Sequence, residues 1–163
     1  MERRGLTLLA GIAVRRAGEK DIRALRNLWA QYAEEIGRYR TAPWRWTWED
    51  LAPRLRMAAA FLAETGGEPI GFAIASRSRP DIGHIEDLWV HPLRRRRGVA
   101  TALVHHVAQA LSERGVAHVA LDVDADNDGA RALYETLGFV HYADRLAADV
   151  ARLEERLQGR LAR

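Results

Sequence analysis

Apolar positions in the first half of the chain alternate between the period of a strand and that of a helix. Ile12–Arg16 predicts a first strand, and residues 19–36 repeat apolar side chains at three- and four-residue intervals, as in an amphipathic helix. The pair Gly66-Gly67 separates two apolar runs, residues 60–65 and 69–77, and therefore predicts a hairpin.

The second half of the chain continues the alternation of strands and helices, after a short helix that a capping-box pair, Thr47 and Asp50, predicts. The remaining predicted elements are a strand at 82–91, a helix at 98–114, a strand at 116–124, a short helix at 127–138, a return strand at 139–150 and a helical tail at 151–163. We assign residues 1–150 to one domain. The tail is either frayed or packed on a partner, which a homodimer would supply.

The strand at 82–91 changes phase near its middle. Under strict alternation His84, Glu86 and Leu88 share one face. On the opposite face, however, Ile85 is apolar whereas Asp87 is acidic. One extra residue in the strand, a β-bulge, explains such a slip. The pattern therefore predicts a bulge close to Glu86.

Four arginines, residues 94–97, separate this strand from the helix that begins at Gly98. The first N–H groups of a helix have no intrahelical partner and carry partial positive charge. A glycine lets a ligand approach the backbone closely, and guanidinium groups suit phosphate. This turn therefore predicts a site for a phosphate-bearing ligand.

Two motifs in this half resemble the acyl-CoA signature of the GNAT superfamily of N-acetyltransferases. Arg95, Gly98 and Ala100 match Gln/Arg-x-x-Gly-x-Gly/Ala, and residues 127–139 match Asn-x-x-Ala-x-x-x-Tyr-x-x-x-Gly-Phe. The resemblance implies an α/β GNAT fold, with a central, mixed but mostly antiparallel β-sheet splayed at the fourth strand and flanked by helices. It also implies transfer of an acetyl group from acetyl-CoA to a primary amine of a small molecule or peptide.

The resemblance places the cofactor along the bulged strand and the turn after it. The pantetheine arm is expected to insert as a pseudo-strand that bonds to the backbone near Val90. The implied cofactor-binding residues are Leu88, Val90, Arg95, Arg96, Arg97, Gly98, Val99, Ala100, Asn127 and Tyr134.

Attack by an amine of pKa about 10 requires that the amine lose a proton and that the leaving thiolate be stabilised or protonated. Glu86 is the expected base, and His84 or an ordered-water relay are the alternatives. Glu86 and Asp87 would otherwise bind the cationic end of the acceptor. The resemblance assigns the general acid to Tyr134, whose alternative role is that of an aromatic core residue.

Residues 38–48 are rich in tryptophan and arginine. The resemblance implies that this connection forms one wall of the acceptor site. We expect Trp44 and Trp46 to contact the acceptor, together with Glu86 and Asp87. The alternative is that the tryptophans only attach a loop to the core.

Composition narrows the function classes. The chain has 163 residues, no cysteine and a net charge of +3, so disulfides, thiolate metal sites and a cysteine nucleophile are excluded. We expect no metal, because the histidines lack metal-ligand spacing; His105 and His106 are predicted on the exposed side of their helix. A single arginine tract without interleaved aromatics does not predict nucleic-acid binding.

No apolar run approaches the roughly 20 residues that a membrane span requires. We therefore expect a cytoplasmic protein, and the preference for arginine over lysine is typical of GC-rich bacteria. An active N-acetyltransferase is the expected function. The alternative is an acyl-CoA-binding regulatory or sensor domain without turnover, which would need neither Tyr134 nor a carboxylate on the bulged strand.

Overall fold

The computed structural model describes residues 11–36, 47–53, 55, 58–143 and 150–161. These residues belong to two compact units, of which the first comprises Met1–Glu35 with Thr47–Asp122 and the second Ile36–Trp46 with Val123–Arg163. Trp44 and Trp46 lie outside the described residues, so their role in acceptor binding stays a prediction.

The first unit is built around a β-sheet whose elements closely follow the predicted order. In chain order these are β1 (Ile12–Arg16), a 3-10 turn (Glu19–Asp21), α1 (Ile22–Ile36), α2 (Trp48–Leu51), β2 (Ala59–Thr65), β3 (Glu68–Arg79), β4 (Ile82–Val90), a second 3-10 turn (Pro92–Arg94), α3 (Val99–Ser112) and β5 (His118–Leu121). Thr47 caps α2 through the predicted capping box with Asp50. The second unit contains α4 (Asp128–Thr136) and α5 (Val150–Leu161).

The five strands lie in the sheet in sequence order, from β1 to β5. Every neighbouring pair is antiparallel except β4 and β5, which are parallel. The sheet is therefore mixed and mostly antiparallel, as predicted. The pairing of β4 with β5 extends only from Ile82 to Ile85 on β4, and the rest of β4 continues beyond it. The sheet thus opens at its fourth strand.

The predicted β-bulge lies in β4 at Glu86. Ile74 of β3 pairs with Asp87, while the next residue, Ala75, pairs with Ile85, so Glu86 is the extra residue between them. A bulge of this kind bends its strand and increases the local twist. The change of phase in the sequence therefore has the cause that the pattern indicated.

The two faces of the sheet carry different helices. Helix α1 packs against one face, where the core cluster comprises Leu25, Leu28, Trp29, Ala60, Leu62, Phe72, Ile74 and Trp89. On β4, Gly83 points to the other face: a Cβ added there would lie 2.5 Å from the Cδ1 of Leu111 in α3. Because side chains alternate along a strand, His84 lies on the α1 face.

Arg15 connects β1 to the start of α1 and to β2. Its guanidinium donates to both carboxylate oxygens of Asp21, each at 2.8 Å, and to those of Glu64 at 2.7 and 3.1 Å. The buried Asp21 carboxylate also accepts a hydrogen bond from the Gly18 N–H at 2.8 Å. The hydrogen bonds from Arg15 are the main cause that holds the pKa of Asp21 at about 2, below its ordinary 3.8.

Replacing Asp21 with asparagine should lower the free energy of unfolding by about 2 kcal/mol at neutral pH, because a pKa depressed by folding stabilises the native state above the unfolded pKa. This contribution should disappear as the pH falls from about 4 to about 2. Urea titrations of the unmodified chain and of Asp21→Asn across that window measure the difference. Glu19→Gln, at an exposed residue of the same turn, is the control. A difference that persists undiminished at pH 2 would contradict the assignment.

Three predictions about secondary structure and exposure need correction. Residues 139–143 are not part of a strand, and Val140 and Tyr142 are 79% and 80% exposed, whereas residues 144–149 of the predicted return strand lie outside the described residues. Strand β5 is shorter than predicted. His106 is buried, with its Nδ1 2.9 Å from the Ala102 carbonyl oxygen, whereas His105 is exposed. The reason is that His106 shares the buried stripe of α3 with Leu103.

Among the described helices, none combines the length and the apolar character that crossing a membrane requires. The described residues likewise contain no group of three or more His, Cys, Asp or Glu side chains placed to hold a metal ion.

Candidate active site

The bulge in β4 brings together a row of polar side chains. The Oε1 of Glu86 accepts a hydrogen bond from the Ser76 hydroxyl at 2.5 Å, and its Oε2 lies 3.6 Å from the Nδ1 of His84. The Nε2 of His84 lies 3.6 Å from the Oδ2 of Asp122. Both candidate bases identified in the sequence therefore belong to one cluster, which we call the β4 polar cluster (Ser76, His84, Glu86 and Asp122).

Sequence reasoning did not single out Asp122. It follows the last residue of β5 directly, and His84 pairs with Ala120 across the parallel ladder. Because side chains alternate along a strand, the position two residues after Ala120 lies on the same face as His84. The signal was present in the alternation of β5, but it required the register between the two strands.

His84, in the middle of the β4 polar cluster, is the least accessible of its three titratable members. The side chain of His84 is 20% exposed, that of Glu86 30% and that of Asp122 47%. A neutral imidazole has one donor and one acceptor nitrogen, and a protonated one has two donors. His84 can therefore accept a proton on one nitrogen while the other faces a carboxylate, and a row of this kind can move a proton away from its origin.

Residues Leu88 and Val90 present their backbone to the open side of β4. The His91 N–H donates to the Ile70 carbonyl at 2.9 Å, so His91 and, by alternation, Trp89 direct their backbone groups toward β3. Leu88 and Val90 consequently direct theirs away from β3, beyond the point at which β5 pairing ends. An extended chain with amide groups can add to such an edge as an extra strand.

The turn between β4 and α3 leaves its backbone accessible. Gly98 is the N-cap of α3 with a φ of +79°, and no heavy atom lies within 4 Å of the position that a Cβ would occupy. Arg96 also has a positive φ, of 60°, and the side chains of Arg96 and Arg97 are exposed. Val99 is buried in the first turn of α3 and anchors the helix start to the core, whereas the next residue, Ala100, is partly buried.

Arg95 is directed differently from its neighbours. Its Nε donates to the Val90 carbonyl at 2.9 Å, and its Nη2 lies 2.7 and 2.6 Å from the two carboxylate oxygens of Glu35 in α1. The Trp89 indole donates to the same carboxylate at 2.8 Å. Glu35 is a second residue that the sequence pattern did not identify, because nothing local relates it to a loop 60 residues away.

Within the second unit, α4 carries the second sequence motif. The side chain of Asn127 accepts a hydrogen bond from the Ala130 N–H at 3.1 Å and so caps the helix, as predicted. Tyr134 is partly buried, and its ring meets that of Phe139 edge to face at 5.5 Å. Gly138, the second residue after the end of α4, has a φ of +93°. Tyr134 therefore has an aromatic packing partner, and its role as the general acid stays a prediction.

The described aromatic residues near α2 pack into the core. Trp29 contacts Tyr32 at 6.3 Å and Trp48 at 6.1 Å between ring centroids, in edge-to-face geometry, and Tyr32 contacts Phe72 at 5.8 Å. Asp87, the other predicted acceptor-binding acid, pairs with Ile74 and so shares the sheet face on which α1 packs. At Trp48, the anchoring interpretation of the tryptophan-rich segment fits the contacts.

Comparison with known proteins relates the chain to acetyltransferases. Residues 22–139 match the model of a family described as the acetyltransferase (GNAT) family. The chain is 32% identical over 108 residues to an uncharacterized N-acetyltransferase from Methanocaldococcus jannaschii, which covers 62% of the chain and 47% of that relative. It is 37% identical over 103 residues to a mycothiol acetyltransferase from Thermomonospora curvata, which covers 60% of the chain and 35% of the relative.

A solved structure of similar architecture is the ribosomal-protein-S18-alanine N-acetyltransferase from Escherichia coli. The two superpose with a TM-score of 0.66 at 27% sequence identity, over 81% of this chain and 79% of that one. The chain spans less than half the length of the two curated relatives.

Proposed function

Because the chain belongs to the acetyltransferase (GNAT) family, we propose that it transfers the acetyl group of acetyl-CoA to a primary amine of a small molecule or peptide. The observation that carries this proposal is the combination of an open β4 edge with the glycine turn directly after it. The edge offers amide partners to an extended arm, and the turn offers backbone N–H groups and arginines to phosphate.

The residues present fit the cofactor. The open space around Gly98 admits a pyrophosphate group close to the first turn of α3, which Val99 and Ala100 begin, and the exposed Arg96 and Arg97 add positive charge. Leu88 and Val90 provide the edge for the pantetheine arm. Bound acetyl-CoA supplies a thioester carbonyl and a thiolate leaving group.

For the proton of the acceptor amine, we propose that the β4 polar cluster acts as the base. Glu86 accepts the proton, directly or through water, and His84 and Asp122 lie in sequence behind it at 3.6 Å steps. The hydrogen bond from Ser76 holds one oxygen of Glu86 and leaves the other toward His84. Glu86 and His84, two of the alternatives left open by the sequence, belong to this cluster, and an ordered-water relay is the third alternative.

For the leaving group, we propose that Tyr134 is the general acid. Its hydroxyl donates a proton to the departing sulfur. The support is the family motif over residues 127–139, within which Asn127 caps the helix that carries Tyr134. Asn127 also remains a proposed contact of the pantetheine arm.

We propose that the acceptor is a cationic amine rather than an acidic one. Glu86, Asp87 and Asp122 place three carboxylates at or beside the bulge, and carboxylates attract cations by Coulomb forces. The names of the relatives refer to different molecules, mycothiol in one and an alanine of ribosomal protein S18 in another. The charge of the site is therefore a better guide to this chain's acceptor than those names are.

Acetyl-CoA should raise the melting temperature of the chain in a concentration-dependent manner, and Gly98→Val should remove most of that increase. Valine is strongly disfavoured at a φ of +79°, so the turn that receives the phosphates would change shape. Gly115→Val is the matched control, because Gly115 has a φ of +73° and equally open surroundings at the other end of α3. The control should lose stability but keep the ligand-dependent increase.

An unchanged increase in Gly98→Val would place the cofactor elsewhere. A thiol-release assay across a panel of cationic, neutral and acidic amines then separates the enzyme from the alternative function. Tight binding of acetyl-CoA without release of thiol for any amine would favour the regulatory or sensor domain.

A further inference from the structure

Arg95 occupies the arginine position of the phosphate-loop motif, yet its side chain turns back toward β4. Its guanidinium spans two partners, the Val90 carbonyl through Nε and the Glu35 carboxylate through Nη2. Because its guanidinium is held at both Nε and Nη2, the Arg95 side chain has little freedom to reorient. The Arg95 side chain therefore binds the end of β4 on its open side instead of extending into the turn.

Glu35, in α1, fixes the position of the Arg95 guanidinium. Its carboxylate receives both the Arg95 guanidinium and the Trp89 indole N–H, and its side chain is only 24% exposed. Trp89 is buried in the core, and the hydrogen bond from its indole N–H orients the carboxylate. The Glu35–Arg95 pair thus joins the last turn of α1 to the residue at which β4 ends.

We propose that Glu35 and Arg95 are positioning residues for the pantetheine arm of the acyl donor, an inference that rests on the proposed function. A carbonyl oxygen has two lone pairs, so Val90 can accept from Arg95 and also from an amide N–H of the arm. By fixing the Val90 peptide, the pair sets the orientation in which the open edge receives the arm. The phosphates are bound by the backbone of the turn and by Arg96 and Arg97.

The test separates the two halves of the cofactor. S-acetylpantetheine carries the arm without the nucleotide, and adenosine 3′-phosphate 5′-diphosphate carries the phosphates without the arm. Intact acetyl-CoA is a poor reporter, since an Arg95 released by loss of Glu35 would be free to reach a phosphate and conceal the effect. Binding of each fragment is measured by titration, so the readout does not depend on turnover.

Glu35→Gln should weaken the binding of S-acetylpantetheine by about tenfold, because it removes the ionic partner of Arg95. It should not weaken the binding of the nucleotide fragment. The indole N–H resonance of Trp89 should shift in the same variant. Arg95→Lys keeps the charge but loses the planar fork, so it should show the same selective loss. Glu34→Gln removes the same charge from the adjacent, exposed residue of α1 and should change neither affinity.

A loss confined to the nucleotide fragment in Arg95→Lys would make Arg95 a phosphate ligand and overturn the inference. Unchanged affinity for both fragments in Glu35→Gln would overturn it as well. If the unmodified chain binds neither fragment nor acetyl-CoA, the proposed function itself fails, and this outcome is distinguishable from the other two.

Discussion

Replacing Tyr134 with phenylalanine should lower the rate of acetyl transfer by about 10²–10⁴-fold, the usual contribution of a positioned general acid. Only the hydroxyl is removed, and the ring remains available to pack against Phe139, so the fold and the affinity for acetyl-CoA should hardly change. Steady-state kcat, together with cofactor binding measured by titration, separates the two effects.

Tyr142→Phe is the matched control for this substitution. Tyr142 lies beyond α4 in the chain and is 80% exposed, so loss of its hydroxyl should leave kcat unaltered. If Tyr134→Phe retains full turnover under conditions in which the chemical step limits the rate, Tyr134 is a packing residue and another group must supply the proton.

Replacing Glu86 with glutamine should lower kcat/KM by about 10²–10⁴-fold for cationic acceptors. The amide keeps the shape of the carboxylate and can still accept the Ser76 hydrogen bond, so the loss reports on charge and basicity. A lost base flattens the acidic limb of the kcat profile, whereas a lost binding charge mainly raises KM. The pH dependence of kcat in the variant therefore distinguishes the two roles of Glu86.

Substitutions of other members of the β4 polar cluster test whether these residues act together with Glu86. If the residues act as a row, His84→Gln and Asp122→Asn should each reduce kcat, and the double variants with Glu86→Gln should fall by less than the product of the single effects. Glu113→Gln, at an exposed residue that follows α3, is the control. Multiplicative effects would show that the residues act independently, and equal turnover of acidic amines would remove the argument for a cationic acceptor.

Features that depend on neighbouring residues could be predicted from the sequence. The hairpin at Gly66-Gly67, the cap at Asn127 and the bulge at Glu86 each follow from local turn chemistry or from a change of period within one strand. The glycine turn at Gly98 is equally local, because the strand, the glycine and the helix start are contiguous.

Features that depend on pairing between distant segments could not be predicted. Asp122 joins His84 only because β4 and β5 are parallel in one particular register, and periodicity within a strand does not distinguish registers that differ by two residues. Glu35 reaches Arg95 across 60 residues, in a contact that α1 packing creates. In the sequence, Glu35 is one of two adjacent acids at the end of an amphipathic helix, with nothing to distinguish it from Glu34.

Two of the corrected predictions, the return strand and the position of His106, have different causes. Residues 139–143 are rich in apolar and aromatic side chains, but this composition does not determine whether a segment pairs with another strand. His106 was assigned to the wrong side of α3 because its residue type outweighed its position, although the three-residue spacing from Leu103 places it on the buried stripe.

The bulge also determines how this strand can change by insertion and deletion over evolution. In a regular strand, loss of one residue turns every later side chain to the opposite face. In β4, residue 86 is the one that has no counterpart on β3, so its deletion leaves Ile85 opposite Ala75 and Asp87 opposite Ile74. A three-nucleotide deletion at this codon would therefore remove the carboxylate while keeping the register of the remaining pairs. Relatives that differ by one residue here can share a fold and yet differ in whether they carry a carboxylate at this position.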